Sequence, residues 1–356
     1  MAVAARYINR ELLSVLVVVV LVLLVVALGG RFIGYLQEAA LGKYPADSLL
    51  TIIWLRLPEF LQQLLPFAFY VALLLAVGRL HAEHEMSVLQ GGGVGPSRVL
   101  VWLLPVTLIM AAFVAWLALA VTPQNNAELE QFFTEQRERQ EFDGVNPGVF
   151  RSLQSGRRVT YTETVSDDRQ QLGEVFIAER DPRRPVTVWA ESGSQYIDAT
   201  TGSQFLVLEN GTRYEGRIGT KDYRVVSFGT LGQRLTVTSG GRKRIDAESL
   251  PTAALIGDPG AGNTAELQWR VGLPLVVLIA AVLGVGLARV KPSQGRFARI
   301  APGISVFLGY YLLLIVTKDA MSEGDWPTAA GLWPVHLGFA CLALYLLRRV
   351  ALPARV

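Results

Sequence analysis

LLSVLVVVVLVLLVVALGGRFIGYL, residues 12–36, decides the fold class of this chain, because it is an apolar run long enough to cross a lipid bilayer. Crossing the hydrocarbon takes about 20 residues of helix, with all backbone hydrogen bonds made inside the segment. Arg6 and Arg10 precede the run, as basic residues precede a signal peptide. The run exceeds the roughly 7 to 15 apolar residues of a cleaved signal, and no clear small-x-small site follows. We expect a retained transmembrane helix.

The remaining sequence predicts five more spans of the same kind. The chain has 356 residues, of which 51% are hydrophobic and 18% charged, and its mean hydropathy is +0.36. Such a composition is typical of a membrane protein rather than of a soluble domain. The further apolar segments are residues 49–77, 99–121, 269–288, 300–317 and 332–347. We therefore predict an α-helical polytopic membrane protein with six transmembrane helices in two groups of three.

The basic residues predict the orientation of the spans. They gather in the short connections on one side: Arg6, Arg10, Arg79, Arg98, Arg289, Lys291, Arg296, Arg299, Arg348, Arg349 and Arg355. The short loops on the other side carry only Lys43 and Lys318. Positive charge marks the cytoplasmic side. Both termini are therefore expected in the cytoplasm and residues 122–268 outside it. The net charge of +3 is explained by topology, and no basic patch with aromatic residues indicates nucleic acid.

The long insertion changes character along its length. Residues 123–141 are polar and predict a helix that leaves the third span. Alternating β-branched and aromatic residues then predict strands at 158–165, 174–178, 186–190, 205–208 and 223–228, with turns at 181–182, 201–203 and 210–211. Short strands at this spacing predict a β-sandwich or β-jellyroll-like domain. The predicted domains are residues 1–122, 123–266 and 267–356.

One connection between spans, residues 79–90, predicts an amphipathic helix, which suggests a docking element; a solvated connector is the alternative. His81 and His84 are not in the His-Glu-x-x-His order of a zincin, and the one cysteine, Cys341, excludes a disulfide within the chain. The sequence contains neither a phosphate-binding loop nor a nucleophile and base at recognisable spacing. An enzymatic function is therefore the least supported of the interpretations of this sequence. No cofactor is expected.

Three charged residues lie near the ends of the first two spans that are predicted to face away from the cytoplasm, and each has alternative roles. Arg31 either extends to the lipid headgroups or binds a lipid phosphate, for which its planar guanidinium is suited. Arg56 and Glu59 are spaced to form an ion pair.

Five stretches carry a resemblance to a known family: residues 6–11, 79–93, 210–216, 265–270 and 292–296. With the predicted topology, they resemble the lipopolysaccharide export permease family of the YjgP/YjgQ type, and the last three favour its F branch over its G branch. The resemblance covers essentially the whole chain. It implies a complex with an LptG-like paralogous permease and an LptB-like ATPase dimer that binds the ATP. It also implies delivery of lipopolysaccharide to LptC and then to LptA.

The resemblance also implies roles for individual residues. Glu85 matches an acidic residue that engages the ATPase, and Arg79, Glu83 and Met86 lie in the same coupling helix, about residues 79–90. Arg31 matches a basic position near the lipid cavity, although a second basic residue of the family pattern is Gly34 here.

Candidate residues for the lipid-accepting face of the β domain are Phe176, Trp189, Tyr196, Phe205 and Leu208, and a plain sandwich core is the alternative for each. The function that the resemblance implies is that of a permease subunit of an ABC transporter in the bacterial inner membrane. It would extract lipopolysaccharide from the periplasmic leaflet and pass it through the periplasmic β domain toward the outer membrane. The alternative is a mechanotransmission subunit, in which an ATPase drives periplasmic conformational change without lipid passage.

Overall fold

The computed structural model describes residues 2–40, 46–143, 148–153, 158–166, 171–180, 185–197, 204–216, 223–234, 247–258, 260–288 and 300–351. The chain divides into two compact units, Met1–Glu130 with Ile245–Val356, and Gln131–Arg244. The first is helical and the second contains the sheet. The predicted turns at 181–182 and 201–203, and the 292–296 motif, lie outside the described residues.

The helical unit is built from apolar segments that match the predicted spans. The described helices are α1 (Ala2–Ala40), α2 (Leu49–Ala82), α3 (Glu85–Gly91), α4 (Pro96–Trp116), α5 (Thr122–Asp143), α6 (Thr252–Gly257), α7 (Ala261–Leu287), α8 (Ile300–Glu323) and α9 (Trp333–Ala351). The residues of α5 from Gln131 onward belong to the second unit. A π-helical turn, Leu117–Val121, joins α4 to α5 without a break, as the sequence predicted. Among the described residues, five helices are long and apolar enough to cross a membrane. The sixth predicted span coincides with α9, a shorter helix of 19 residues that ends in Arg348 and Arg349.

Helix α7 lies at the centre of the helical unit, where it packs against α2, α4, α8 and α9. Small residues permit the close approach: a Cβ atom at Gly284 would lie 3.0 Å from the Cβ of Leu73 on α2. The start of α8 is fixed to α2 by the buried Tyr70 hydroxyl, which donates to the Gly303 carbonyl at 2.9 Å. The helical fold therefore depends on close backbone contacts as well as on apolar burial.

Several of the described helices leave apolar faces uncovered, including α4 with Val101, Leu108 and Ile109. On α1 the exposed residues include Val17, Val18, Leu21, Val22, Val25 and Val26, and on α8 they include Leu308, Leu312, Leu313 and Val316. The first turns of α1 differ, since Ile8 and Leu12 are completely buried. Lipid or another membrane helix must cover the exposed faces.

The second unit contains one antiparallel sheet whose strands follow chain order. Its strands are β1 (Arg151–Leu153), β2 (Arg158–Val165), β3 (Gln171–Glu179), β4 (Val186–Ile197), β5 (Gln204–Glu215) and β6 (Arg224–Arg234). The bounds of β2 coincide with the prediction, whereas β4, β5 and β6 extend well beyond it. A helical membrane protein with a separate β-rich domain is therefore confirmed.

A row of interruptions crosses the sheet. Bridge pairing skips Glu163, Glu174, Glu191, Asn210 and Gly229, one on each strand from β2 to β6. The backbone has positive φ at Glu174 (47°) and Asn210 (51°). On both sides of this row the same sheet face is buried, so the apolar residues are three apart rather than two. Leu172 and Val175 on β3 show this spacing, as do Phe228 and Leu231 on β6.

The Asn210-Gly211 pair was wrongly predicted to be a turn between strands. Both residues lie inside β5, and Asn210 has the left-handed backbone conformation that this pair favours. Gly211 is required by its neighbours, because a Cβ atom would collide with the Trp189 carbonyl and the Phe228 ring. The dipeptide therefore gives the expected local conformation but interrupts a strand instead of ending one.

Candidate functional site

The segment between α2 and α4 is broken by a turn at its middle. The sequence predicted one helix over about residues 79–90, which is wrong in this respect: α2 ends at Ala82 and α3 begins at Glu85. His84, between them, has a left-handed backbone with φ of 63°. The turn separates Arg79, still on α2, from Glu85 at the start of α3.

A chain of polar contacts joins this corner to the beginning of α1. Arg79 Nη1 lies 3.0 Å from Glu11 Oε1, and Arg79 Nη2 donates to the Tyr7 hydroxyl at 2.9 Å. The Tyr7 hydroxyl in turn donates to Glu85 Oε1 at 3.1 Å. A weaker ion pair links Arg79 to Glu83 at 3.7 Å. Three of the four residues predicted to couple to an ATPase therefore belong to one cluster, which also contains Tyr7 and Glu11.

Met86, the fourth predicted coupling residue, packs inward. Its side chain is 3% exposed and belongs to the core of the helical unit. It therefore anchors α3 and does not contribute to the free surface in this conformation. The exposed apolar residue of the segment is Val88, which is 75% exposed and is flanked by the exposed Ser87. The sequence pattern could not distinguish these two faces of so short a helix.

Arg31 is exposed and lies over an aromatic ring of the neighbouring helix. Its guanidinium carbon is 5.4 Å from the centroid of Phe60 on α2. Gly29, Gly30 and Gly34 have open space where a Cβ atom would stand, so none of them makes a close contact with the described residues. The predicted Arg56–Glu59 ion pair is confirmed, with 2.7 Å between Nη1 and Oε2.

Residues 265–270, one of the family-like stretches, form a buried clamp at the start of α7. Arg270 is 2% exposed, and its Nε donates to Glu266 Oε1 at 2.8 Å. Its two terminal nitrogens donate to the Leu250, Ala247 and Glu248 carbonyls and to the Thr252 hydroxyl, at 2.9 to 3.1 Å. The guanidinium thus holds the segment that precedes α7.

Lys318, at the end of α8, completes the cluster around this clamp. Its Nζ lies 2.8 Å from Glu266 Oε2 and 3.2 Å from Glu248 Oε1, and 5.1 Å from the centroid of Trp269. A cavity of about 160 Å³ adjoins it, lined also by Gln62 and Asn126. Sequence reasoning used Lys318 only as a loop charge, because its carboxylate partners are distant along the chain.

The candidate lipid residues of the sheet lie on different faces. Leu208 is completely buried in the apolar cluster of the sheet. Phe176 and Trp189 are paired neighbours on the opposite face, where Phe150 stacks on Tyr161 with 4.6 Å between ring centroids. The prediction of a single lining face is therefore wrong for these three candidates. Tyr196 and Phe205 are paired in register, but their side chains lie outside the described residues.

One electrostatic feature of the sheet lies on the row of interruptions. The pKa of Glu174 is raised by its hydrogen bond to Glu163 and by the negative charge of that residue. Among the described residues, no group of three or more His, Cys, Asp and Glu side chains could hold a metal ion.

The comparisons with known proteins agree with this architecture. The family model of the lipopolysaccharide export system permease LptF/LptG matches residues 6–349. The lipopolysaccharide export system permease protein LptF of Escherichia coli K12 is 26% identical over 348 residues, covering 96% of this chain and 93% of its own length. The LptF protein of Shigella flexneri gives the same identity and coverage. The match includes both units, so this chain belongs to the LptF/LptG family of lipopolysaccharide export permeases and is an integral inner-membrane protein.

Proposed function

We propose that this chain is the permease subunit of an ABC exporter that extracts lipopolysaccharide from the periplasmic leaflet of the inner membrane. The β unit would pass the lipid on toward the outer membrane. The observation that carries the proposal is the family match, because it extends through the helices and the sheet together. The charge distribution supports cytoplasmic termini and a periplasmic β unit.

The energy must come from another subunit. Removing acyl chains from a membrane costs about 0.8 kcal/mol per buried CH₂ group, and this sequence contains no phosphate-binding loop. We propose an LptB-like ATPase dimer as the source, with the ATP bound there and no cofactor in this chain. Glu85 is the proposed contact, with Arg79 and Glu83 beside it and Met86 as the anchor of α3.

The exposed apolar faces of α1 and α8 support a second membrane partner. We propose that an LptG-like permease faces them, and that the two chains enclose a cavity for lipopolysaccharide. Arg31 is exposed on α1 and carries a fixed charge that suits a lipid phosphate. LptC, and LptA through it, are the proposed acceptors beyond the β unit.

Within the β unit we assign the acyl chains to the buried face that contains Leu208. Its buried core includes, in the part of the unit that the structure describes, Leu172, Val175, Ile177, Val188, Ala190, Leu206 and Leu208. The opposite face carries Phe176 and the half-exposed Trp189. The apolar face is continuous on both sides of the interrupted row, but its core residues are only 0% to 4% exposed, so an extended acyl chain must displace what covers them in order to bind.

Photo-crosslinking in the reconstituted complex tests this assignment. A photoreactive residue at Leu231, on the edge of the buried cluster, should give lipopolysaccharide adducts that depend on ATP, while one at Trp189 should not. Adducts at Trp189 alone would move the lipid path to the aromatic face. ATP turnover with no adduct from either face would refute the exporter proposal and favour the mechanotransmission subunit, through which no lipid passes.

The docking assignment has its own test. Glu85→Ala and Glu85→Lys should weaken copurification of the ATPase with this chain, because a charge-assisted contact is lost or reversed. Ser87→Ala, a neutral change on the same exposed segment, is the matched control and should leave copurification unchanged. Unchanged association in both Glu85 variants would remove this residue from the docking site.

A further inference from the structure

The proposed docking residue is not free in this chain but is held by the first helix. Tyr7 and Glu11 lie one turn apart on α1 and both contact Arg79 of α2, and the Tyr7 hydroxyl donates to Glu85. We propose that Tyr7 and Arg79 are positioning residues, which fix the Glu85 carboxylate for the partner ATPase and connect α3 to α1. This inference rests on the docking role proposed for Glu85.

The support under Tyr7 is rigid. The neighbouring Ile8 is 1% exposed and Leu12 is fully buried. Asn9 Nδ2 donates to the Trp102 carbonyl of α4 at 2.8 Å, which attaches the same turns to a third helix. A positioning group held by buried packing keeps its geometry better than one on a loop.

The contact geometry leaves room for a partner. Tyr7 bonds one oxygen of the Glu85 carboxylate, Oε1, and a carboxylate has about four acceptor sites on its two oxygens. A cationic side chain of the ATPase can therefore bind Glu85 while the Tyr7 bond is kept. Arg79 donates to the Tyr7 oxygen, which directs the single phenolic hydrogen toward Glu85 rather than toward water.

The same contacts could instead serve only to stabilise the pairing of α1 with α2. The two roles differ in what they require of Glu85. If the contacts only stabilise, Tyr7→Phe would lower the unfolding temperature of the helical unit whether or not Glu85 is present. A positioning role acts through Glu85, so its effect on docking must vanish when that carboxylate is removed.

A double-mutant cycle on ATPase binding separates the two roles. The full-length chain, assembled with its permease partner, is titrated with the ATPase subunit for four variants: wild type, Tyr7→Phe, Glu85→Ala and the double variant. Tyr7→Phe removes one hydroxyl and keeps the ring, and it should weaken association about two- to tenfold, the range for one hydrogen bond. In the Glu85→Ala background the same change should have no further effect. The matched control is Tyr345→Phe at the exposed Tyr345 of α9, which should bind as wild type.

The outcomes separate this inference from the docking assignment itself. If Glu85→Ala weakens binding but Tyr7→Phe does not, the positioning role is refuted and the docking role stands. If Tyr7→Phe weakens binding equally with and without Glu85, its role is structural and the inference is also refuted. If Glu85→Ala leaves binding unchanged, the docking assignment fails first, and the positioning role fails with it.

Discussion

Replacing Arg270 by methionine should release the segment before α7 from the helical unit. The guanidinium is almost fully buried and donates to three backbone carbonyls, one hydroxyl and Glu266. Methionine fills a similar volume but donates nothing. The Ala247 carbonyl would keep the Leu250 amide as a donor at 3.3 Å, whereas the Leu250 and Glu248 carbonyls would lose the Arg270 donor.

The expected cost follows from these contacts. Each buried acceptor left without a donor costs about 1 to 3 kcal/mol, and breaking a buried ion pair costs about 3 to 5 kcal/mol. The terms overlap, and Lys318 still neutralises Glu266, so we expect a loss of at least about 3 kcal/mol. On the scale of roughly 2 to 4 °C per kcal/mol for units of this size, the unfolding temperature should fall by about 6 °C or more.

Thermal unfolding in detergent and limited proteolysis measure this effect together. Arg270→Met should lower the unfolding temperature and speed cleavage within residues 247–258, whereas Arg56→Met, in the more exposed pair with Glu59, should cost about 1 kcal/mol or less. If Arg270→Met unfolds at the wild-type temperature with no faster cleavage, the clamp does not hold the segment, and the reasoning is refuted.

Three further predictions concern other sites. Gly272→Ala should destabilise the helical unit by about 1 to 3 kcal/mol, because its Cβ would lie 2.8 Å from His336 Nε2. Thermal unfolding in detergent measures this. The neutral control is Gly262→Ala, at a position with open space around the Cβ. A carboxyl group whose pKa is raised in the folded state lowers the stability of that state once the pH rises above this pKa. Glu174→Gln should therefore raise the unfolding temperature of the β unit at pH 7, and the difference from wild type should disappear near pH 4. In the proposed complex with an ATPase, Arg31→Glu should reduce lipid-stimulated ATP turnover more than Arg31→Lys does. Equal behaviour of the two variants would indicate that Arg31 only extends to the headgroups.

The sequence predicted the features that depend on local pattern. Apolar runs of sufficient length located the helices, since lipid leaves the backbone few alternatives. The Arg56–Glu59 pair followed from their i, i+3 spacing. The Asn210-Gly211 pair correctly predicted a left-handed backbone but wrongly predicted a turn between strands, because a left-handed residue can interrupt a strand as well as end one.

The features that depend on distant contacts could not be predicted. Apart from Glu266, which lies four residues earlier, the acceptors of Arg270 precede it by 18 to 23 residues, and no spacing rule connects those. Glu174 has a positive φ although it is not a glycine, so its residue type does not predict the interruption of the strand. Met86 and Val88 are both apolar residues of a seven-residue helix, and only packing decides which of them is buried.

Helix α1 is buried near the proposed docking cluster but largely exposed further along, so a movement at the cluster can be transmitted along the helix. Near Tyr7 the helix is buried against its neighbours, but only 11% of its most apolar stretch is buried inside the chain. Tyr7 and Arg31 are separated by 24 residues, or about 36 Å at 1.5 Å per helical residue. A tilt of about 5° at the docking end would therefore carry Arg31 by about 3 Å on this helix length. Val17, Val18, Leu21 and Val22 on this stretch face outward. Its other face, with Leu16, Val19, Val20 and Leu23, packs against the core, so the tilt must slide that face along its neighbours. We expect α1 to transmit motion from Glu85 to the lipid-facing end as a lever, and this role requires the Tyr7 and Arg79 contacts at its anchored end.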